Sequence, residues 1–252
     1  MDLNLKGRVA VVTGAGAGIG EAMAGALASE GCSVWLADRD RAAATSAAAA
    51  LSSRGHAATA LVVDVADAAA VFAAFAQVEK TAGRLDILVN AAGLISTGPF
   101  ADLPASEWDR VARVNVGGIL NCVKAAMPAA TRQRAGRIIN IASVSAMRGG
   151  GSLGNTIYGA TKASVVALTM GLARELGPLG ITVNAVAPAV ADTAMTRAAL
   201  TDDMRRRIVA RIPLGRLAAL SDIADLVTFL ASDRAAFITG AVIPVDGGIL
   251  TT

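Results

Sequence analysis

Histidine occurs once in this chain of 252 residues, at His56, and cysteine twice, at Cys32 and Cys122. Without a histidine and cysteine cluster, neither a catalytic zinc site nor a Ser-His-Asp triad is expected, and no metal ligands are assigned. Two cysteines make no disulfide framework, so both are read as reduced core thiols of a cytoplasmic protein. Long apolar runs are also missing. Mean hydropathy is +0.55, yet the best stretch, Ala163 to Ala173, is short and bracketed by Lys162 and Arg174, so no membrane span is expected. The opening Met1 to Lys6 has neither the charge order nor the apolar length of a signal peptide. Net charge is only +3, and Arg205-Arg206-Arg207 is the one basic run. It reads as a solvated helix face, and no nucleic-acid partner is expected.

What the chain has is apolar mass: 54% of its residues are hydrophobic, enough at this length for one large core, and one domain over 1–252 is expected. It is organised around Val9-Ala-Val-Val-Thr13-Gly14-Ala-Gly16-Ala-Gly18-Ile19-Gly20. A β-branched run enters a glycine-dense turn, and helical spacing of apolar residues follows from Glu21. A turn with so few Cβ atoms lets an anionic group approach the backbone, and a helix opening near Gly18 aims free N–H groups at it. Taken alone, an ordinary tight turn explains the glycines equally well. A second apolar run, Ser33 to Asp38, ends in a carboxylate roughly twenty residues beyond the glycines, where an acid can hold ribose hydroxyls.

Strand and helix patterns then alternate. A helix is expected from about Asp40 to Ser53, a strand from Ala58 to Val65, and a helix from Asp67 to Thr81. Leu85 to Asn90 is expected as a strand leading to Ala91, Ala92 and Gly93, and Ser106 to Arg134 as a long helix containing Asn115. A strand from Arg137 to Ala142 follows, then a glycine-rich connection from Ser143 to Asn155 and a helix from Thr156 to Gly177. The last elements are a strand from Ile181 to Ala187, a helical insert over 194–212, a helix from Leu220 to Ser232 and a strand from Ala241 to Val245. Continuous apolar strands alternating with helices imply a doubly wound α/β fold, a parallel sheet covered on both faces. Ligands bind such folds outside the carboxyl ends of the strands. Gly14 to Gly20, Asp38, Asp64, Asn90, Ser143 and Pro188 all fall there.

Tyr158 is the only tyrosine, and Lys162, one of four lysines, follows four residues later. On a helix that spacing stacks them on one face, where a cation favours the phenolate and brings the phenol toward acid/base use. A surface tyrosine beside a solvated lysine is the plain alternative.

Together, Thr13-Gly-x-x-x-Gly18-Ile-Gly20, Asn90-Ala-Ala-Gly93, Asn115, Ile141-Ala-Ser143, Tyr158-x-x-x-Lys162, Pro188 to Thr193 and Asp246-Gly-Gly resemble the short-chain dehydrogenase/reductase family over essentially the whole chain. The resemblance implies a Rossmann-type seven-stranded parallel sheet, a nicotinamide cofactor and a homotetramer. It also implies a catalytic tetrad of Asn115, Ser143, Tyr158 and Lys162. Tyr158 would give or take the hydroxyl proton, Lys162 would lower the tyrosine pKa and hold the nicotinamide ribose, Ser143 would bond the substrate oxygen, and Asn115 would hold a relay water. Cofactor contacts are expected from Gly14, Gly18, Ile19, Gly20, Asp38, Asp64, Val65, Asn90, Ala91, Gly93, Tyr158, Lys162, Pro188, Val190 and Thr193, with 194–212 as a helical lid over the substrate.

Three departures from the family pattern bear on this. Ala91 replaces a frequent second asparagine. Ala189 replaces the usual glycine after Pro188, so its backbone must avoid positive φ or be strained. Ser143 lies two residues farther from Tyr158 than the usual spacing; Ser145 restores the count, but Ser143 directly ends the strand and is chosen. The expected activity is hydride transfer between a nicotinamide cofactor and a secondary alcohol or ketone. NAD is favoured over NADP because Asp38 would face a 2′-phosphate. An NADPH-dependent 3-oxoacyl-(acyl carrier protein) reductase and a non-catalytic nucleotide-sensing regulator are the alternatives. The substrate pocket is expected from Leu94 to Phe100, Ala146 to Asn155 and the insert over 194–212, and Arg148, the one charge near it, is read as a solvated loop arginine, with a role in holding an acid as the alternative.

Overall fold

The computed structural model describes residues 2–151, 153–193, 196–197 and 200–251. Seven strands form one parallel sheet in the order β3-β2-β1-β4-β5-β6-β7. They are β1 (Val9–Thr13), β2 (Ser33–Asp38), β3 (Ala58–Val62), β4 (Ile87–Asn90), β5 (Gly136–Ile141), β6 (Ile181–Pro188) and β7 (Val242–Val245). The helices are α1 (Gly18–Ser29), α2 (Arg41–Ser52), α3 (Ala68–Ala82), α4 (Glu107–Ala112), α5 (Gly118–Gln133), α6 (Ser145–Arg148), α7 (Thr156–Leu176), α8 (Asp202–Val209) and α9 (Leu220–Ala231). The order doubles back at β1, where the chain crosses from β3 to β4, and that reversal opens a crevice above the strand ends.

Alternation along the strands splits the core in two. Val9 and Val11 of β1 pack with α3, α5 and α7 residues such as Phe75, Ile119 and Val165, whereas Ala10 and Val12 pack with Leu27 of α1 and Ile223 of α9. Both faces of each central strand are therefore buried, which is why these strands read as unbroken apolar runs. A small third cluster joins Ile208 of α8 to Val144, Ile212, Leu217 and Ile249. It docks the insert beside the end of β5.

The expected elements occur with shifted edges. β3 stops at Val62, so Asp64 and Val65 lie in the connection beyond it, and β4 begins at Ile87. The long helix expected over Ser106 to Arg134 is three pieces, because Arg113–Gly117 is a π-helical turn between α4 and α5. Asn115 sits in that wider turn, a common form of local irregularity at functional sites. Within the insert, Asp202–Val209 is helical; positions 194, 195, 198 and 199 of the expected lid lie outside the described residues.

Candidate active site

The glycine turn is built by close approach. A Cβ at Gly20 would stand 2.0 Å from the carbonyl oxygen of Gly14, so only glycine lets α1 start directly over the end of β1. Gly14 itself takes φ +65°, a conformation glycine adopts without strain. The residue before α1, Ala17, offers no side-chain cap, so the first-turn N–H groups of α1 stay available toward the cleft. Thr13 Oγ1 accepts from the backbone N–H groups of Ala91 (3.0 Å) and Ala92 (3.1 Å), which fixes the turn after β4 against the end of β1.

These ends line one cleft of about 620 Å³. At one end are Gly14, Ala17, Gly18, Ile19, Gly20, Asp38, Arg39, Asp64 and Val65; Ala91, Gly93, Pro188, Val190 and Thr193 lie along it; Ser143, Tyr158 and Lys162 close it. Asp38 Oδ2 accepts from Gly16 N (2.9 Å) and its Oδ1 from Asp40 N (3.0 Å). Asp38 is not the cap of α2; Asp40 is, accepting from Ala42 and Ala43. Arg39, the next residue, lines the same cleft. Ala189 escapes the strain its position threatened: it is absent from the positive-φ residues, and its N–H donates to Val245 O at 3.0 Å.

Helix α7 carries the chemistry. Asn155 caps it, accepting from Tyr158 N (3.1 Å), and its Nδ2 donates to Ser96 Oγ (2.9 Å). A Cβ at Gly154 would fall 2.2 Å from the Tyr158 ring, and one at Gly159 2.5 Å from Gly150 N. The glycines of the connection thus let it press against the helix and hold the ring. Ser143 lines the cleft with Tyr158, its hydroxyl near enough to the phenol to oppose the rise in the phenol's pKa. Ser145 N donates to Ser143 Oγ (3.1 Å), whereas the Ser145 hydroxyl lies against Gly151. Of the two candidate serines, Ser143 is the one at the phenol.

Lys162 is buried, and its Nζ donates to Ile141 O (2.7 Å) while standing 5.8 Å from the centre of the Tyr158 ring. Burial pulls the ammonium down to about 8. The Tyr158 phenol is pushed up by burial, opposed only by the Ser143 hydroxyl. The expected lowering by Lys162 is therefore not a property of the chain alone, because desolvation outweighs a cation on the ring's face.

Two asparagines are placed differently from the expectation. Asn115 is fully buried: its Oδ1 accepts from Leu94 N (2.7 Å), and its Nδ2 donates to Leu94 O (2.9 Å) and Thr161 Oγ1 (3.1 Å). It clamps the turn after Gly93, with its amide committed to protein groups. Asn90, expected at the cofactor, is buried under the cleft floor, where Nδ2 donates to Asn140 Oδ1 (2.9 Å) across the β4–β5 pair. A strand-end amide facing a ligand and one facing a neighbouring strand share the same sequence signal. Thr161 was not expected in the site, and Ser96 and Asn155 fall in the segments expected to form the substrate pocket, without an assigned role. Thr161 Oγ1 donates to Tyr158 O (2.8 Å) and so links Asn115 to the Tyr158 turn. Only the capping position of Asn155 was visible in the sequence.

The cleft fits a dinucleotide. Uncapped N–H groups at a glycine cradle suit a pyrophosphate, Asp38 suits ribose hydroxyls, and a buried lysine beside a phenol suits the reacting end.

Comparison with known proteins agrees. A family model described as Enoyl-(Acyl carrier protein) reductase matches residues 14–250. The chain is 40% identical over 247 residues, 98% of its length and 99% of the relative's, to the 3-oxoacyl-[acyl-carrier-protein] reductase FabG of Escherichia coli. It is 41% identical over 249 residues, 98% of each chain, to an uncharacterized short-chain type dehydrogenase/reductase, y4mP, of Sinorhizobium fredii. A solved gluconate 5-dehydrogenase from Burkholderia cenocepacia, in complex with NADP and tartrate, superposes with a TM-score of 0.94 at 33% identity, covering 100% of this chain and 98% of that one.

The four lysines permit a direct test of the buried ammonium. With labelled lysine, one Nζ resonance should titrate near pH 8 and vanish in Lys162→Met; four midpoints above 10 would contradict the site's electrostatics. Because the folded value lies below the ordinary 10.5, the unfolded chain holds more protons between about pH 8 and 10.5. The contribution of Lys162 to stability therefore rises with pH across that window, and Lys162→Met should flatten it in denaturation midpoints.

Proposed function

The chain belongs to the short-chain dehydrogenase/reductase family, and from that premise we propose that Tyr158 is the general acid/base in the interconversion of a secondary alcohol and a ketone. The observation that carries this reading is the convergence of Ser143, Tyr158 and buried Lys162 at one end of a cleft whose other end is the glycine cradle. A nicotinamide coenzyme held there supplies or accepts the hydride. Tyr158 moves the hydroxyl proton, and Ser143 holds the substrate oxygen on which charge develops. Lys162 holds the nicotinamide ribose and supports the phenolate. Asn115 acts through the Leu94 turn and Thr161 as a positioning residue.

NAD is the proposed coenzyme. Asp38 lies at the end of β2 with its carboxylate on the glycine loop, which favours ribose hydroxyls over a 2′-phosphate. Two unit charges about 4 Å apart repel by about 4 kcal/mol at an effective dielectric near 20, and a third of that is roughly tenfold in affinity. The NADP of the solved relative and Arg39 in the lining support the opposite choice, since a guanidinium can pair with the phosphate. A second reading, an NADPH-dependent 3-oxoacyl-(acyl carrier protein) reductase, draws on the 40% identity to the E. coli enzyme. A cytoplasmic setting is proposed from the two buried thiols, both pushed up to about 12 by burial and held neutral. A homotetramer is proposed from α7, where Ala163, Ala167 and Met170 form an exposed stripe of apolar side chains at helical spacing. Among the described residues no helix is long and apolar enough to cross a membrane.

Tyr158→Phe should lower turnover by about a hundredfold to ten-thousandfold while leaving coenzyme affinity nearly intact; near-normal turnover would refute the role. For coenzyme choice, kcat/KM should favour NAD in the natural chain and lose that preference in Asp38→Ala. A preference for NADP in the natural chain, or no response to the substitution, would remove Asp38 as the selector. Light scattering at micromolar concentration should give four times the chain mass, and a monomer would exclude the assembly.

A further inference from the structure

The two ends of the cleft carry opposite charge. Six formally charged side chains line it among the described residues: Asp38, Arg39, Asp64, Arg148, Lys162 and Arg211. Both acids belong to the β2 and β3 side. In the strand order, β2 is three places from β5 and β3 is four, which at about 4.8 Å per strand is roughly 14 and 19 Å from Ser143. Those separations exceed the screening length of about 8 Å at physiological salt. Beyond Ser143 the lining offers Arg148, Arg211 and buried Lys162, with hydroxyl and aliphatic groups between them.

Arg148 is held in place there. It ends α6, three residues after Ser145, and its Nη1 donates to Ile249 O at 3.1 Å. That bond uses one of five N–H donors, and among the described residues the guanidinium has no carboxylate partner. Neighbouring acids are already engaged. Asp192 lies at 3.4 Å from Arg197 and 3.5 Å from Arg205, Asp203 faces Arg206 and Arg207, and the Asp246 carboxylate accepts from Gly248 N and Leu250 N. Asp192 and Asp203 are thus paired with Arg197, Arg205, Arg206 and Arg207 of the insert, and Arg148 lines the cleft.

Resting on the dehydrogenase reading above, we infer that the substrate is a small hydroxy or oxo acid whose carboxylate is received by Arg148 while its carbinol carbon lies at Tyr158 and Ser143. In the oxidative direction, hydroxy acid and oxidised coenzyme give oxo acid, reduced coenzyme and a proton. The carbinol C–H bond breaks with its electron pair going to the coenzyme as hydride, the O–H proton passes to Tyr158, and the carboxylate is unchanged.

The test uses hydroxy acids with one to four carbons between carbinol and carboxylate, each paired with its methyl ester, assayed with NAD and with NADP. At least one acid should exceed its ester in kcat/KM by about tenfold to a hundredfold, as expected for a charge-assisted hydrogen bond, and added salt should shrink the difference. Arg148→Gln, which keeps an N–H donor for Ile249 but not the charge, should erase the advantage through KM and leave the ester unchanged. Arg148→Lys should retain part of it. Equal losses on acid and ester in Arg148→Gln would make Arg148 a loop support and overturn the inference. So would esters that match their acids in the natural chain, or an Arg148-dependent preference confined to 3-oxoacyl thioesters on carrier protein. If no pair turns over while another secondary alcohol or ketone does, the hydroxy-acid inference is overturned; if no secondary alcohol or ketone turns over with either coenzyme, the dehydrogenase reading fails by itself. Calorimetric binding of the same acids to the natural chain and Arg148→Gln then decides the anion site, and equal affinities would overturn it.

Discussion

Parallel pairing is the constraint from which the site follows. When seven strands run the same way, all their carboxyl ends meet one edge, and every connection that leaves this edge must turn sharply or enter a helix. The register makes the meeting tight: Thr13 pairs with Asn90, and Asn90 with Asn140. The segments that leave these strand ends therefore start side by side, and one hydroxyl, Thr13 Oγ1, reaches two N–H groups of the next turn. Glycine at positions 14 and 20 and alanine at 91 and 92 are what such crowding admits. The cleft is the space that remains between connections that cannot all pack at the point where the strand order reverses.

Within that cleft, burial opposes the charges that the chemistry needs. Desolvation moves both Tyr158 and Lys162 toward their neutral forms, and each would resist ionising alone. A phenolate and an ammonium held together would compensate one another, each offsetting part of the other's cost of burial. The hydrogen bonds around them fix geometry: Ile141 O orients Nζ, and the Asn155 cap sets the first turn of α7. A tyrosine able to exchange a proton near neutrality thus requires the completed site, with its coenzyme and substrate excluding further water, rather than a lysine four residues away.

The sequence revealed those features whose physics is local. Strand and helix periodicity, the glycine turn, the carboxylate ending β2 and the Tyr158–Lys162 spacing each depend on residues within one or two turns of each other, and each has the expected place. What it concealed depends on contacts between distant segments. Asn90 and Asn115 carry the same functional group at plausible positions, but whether an amide faces a ligand or the backbone of Leu94 is decided by packing over more than twenty residues of separation. The π turn at Arg113–Gly117 has no periodicity signal that separates it from a continuous helix. Ser143 and Ser145 differ by two places in the chain, and only the folded connection shows which hydroxyl meets the phenol.

The substrate end is where sequence and fold are least coupled, and the reason is structural. The coenzyme end is made from strand termini that the sheet cannot move without losing its register, whereas Arg148, Leu153 and Ile249 sit on connections pinned by a few contacts. Glycines at 149, 150 and 154 let the β5–α7 connection lie flat on α7, with Gly150 N at the position a Cβ on Gly159 would need. Flattening it there carries Arg148 outward to the C-terminal segment, where Ile249 O receives it. The same connection thus brings Ser143 and the Arg148 guanidinium to one cleft. Ser143 and Arg148 are carried by one connection, the first fixed at the end of β5 and the second five residues on, so a change around Arg148 can alter the rim of the cleft without moving Ser143.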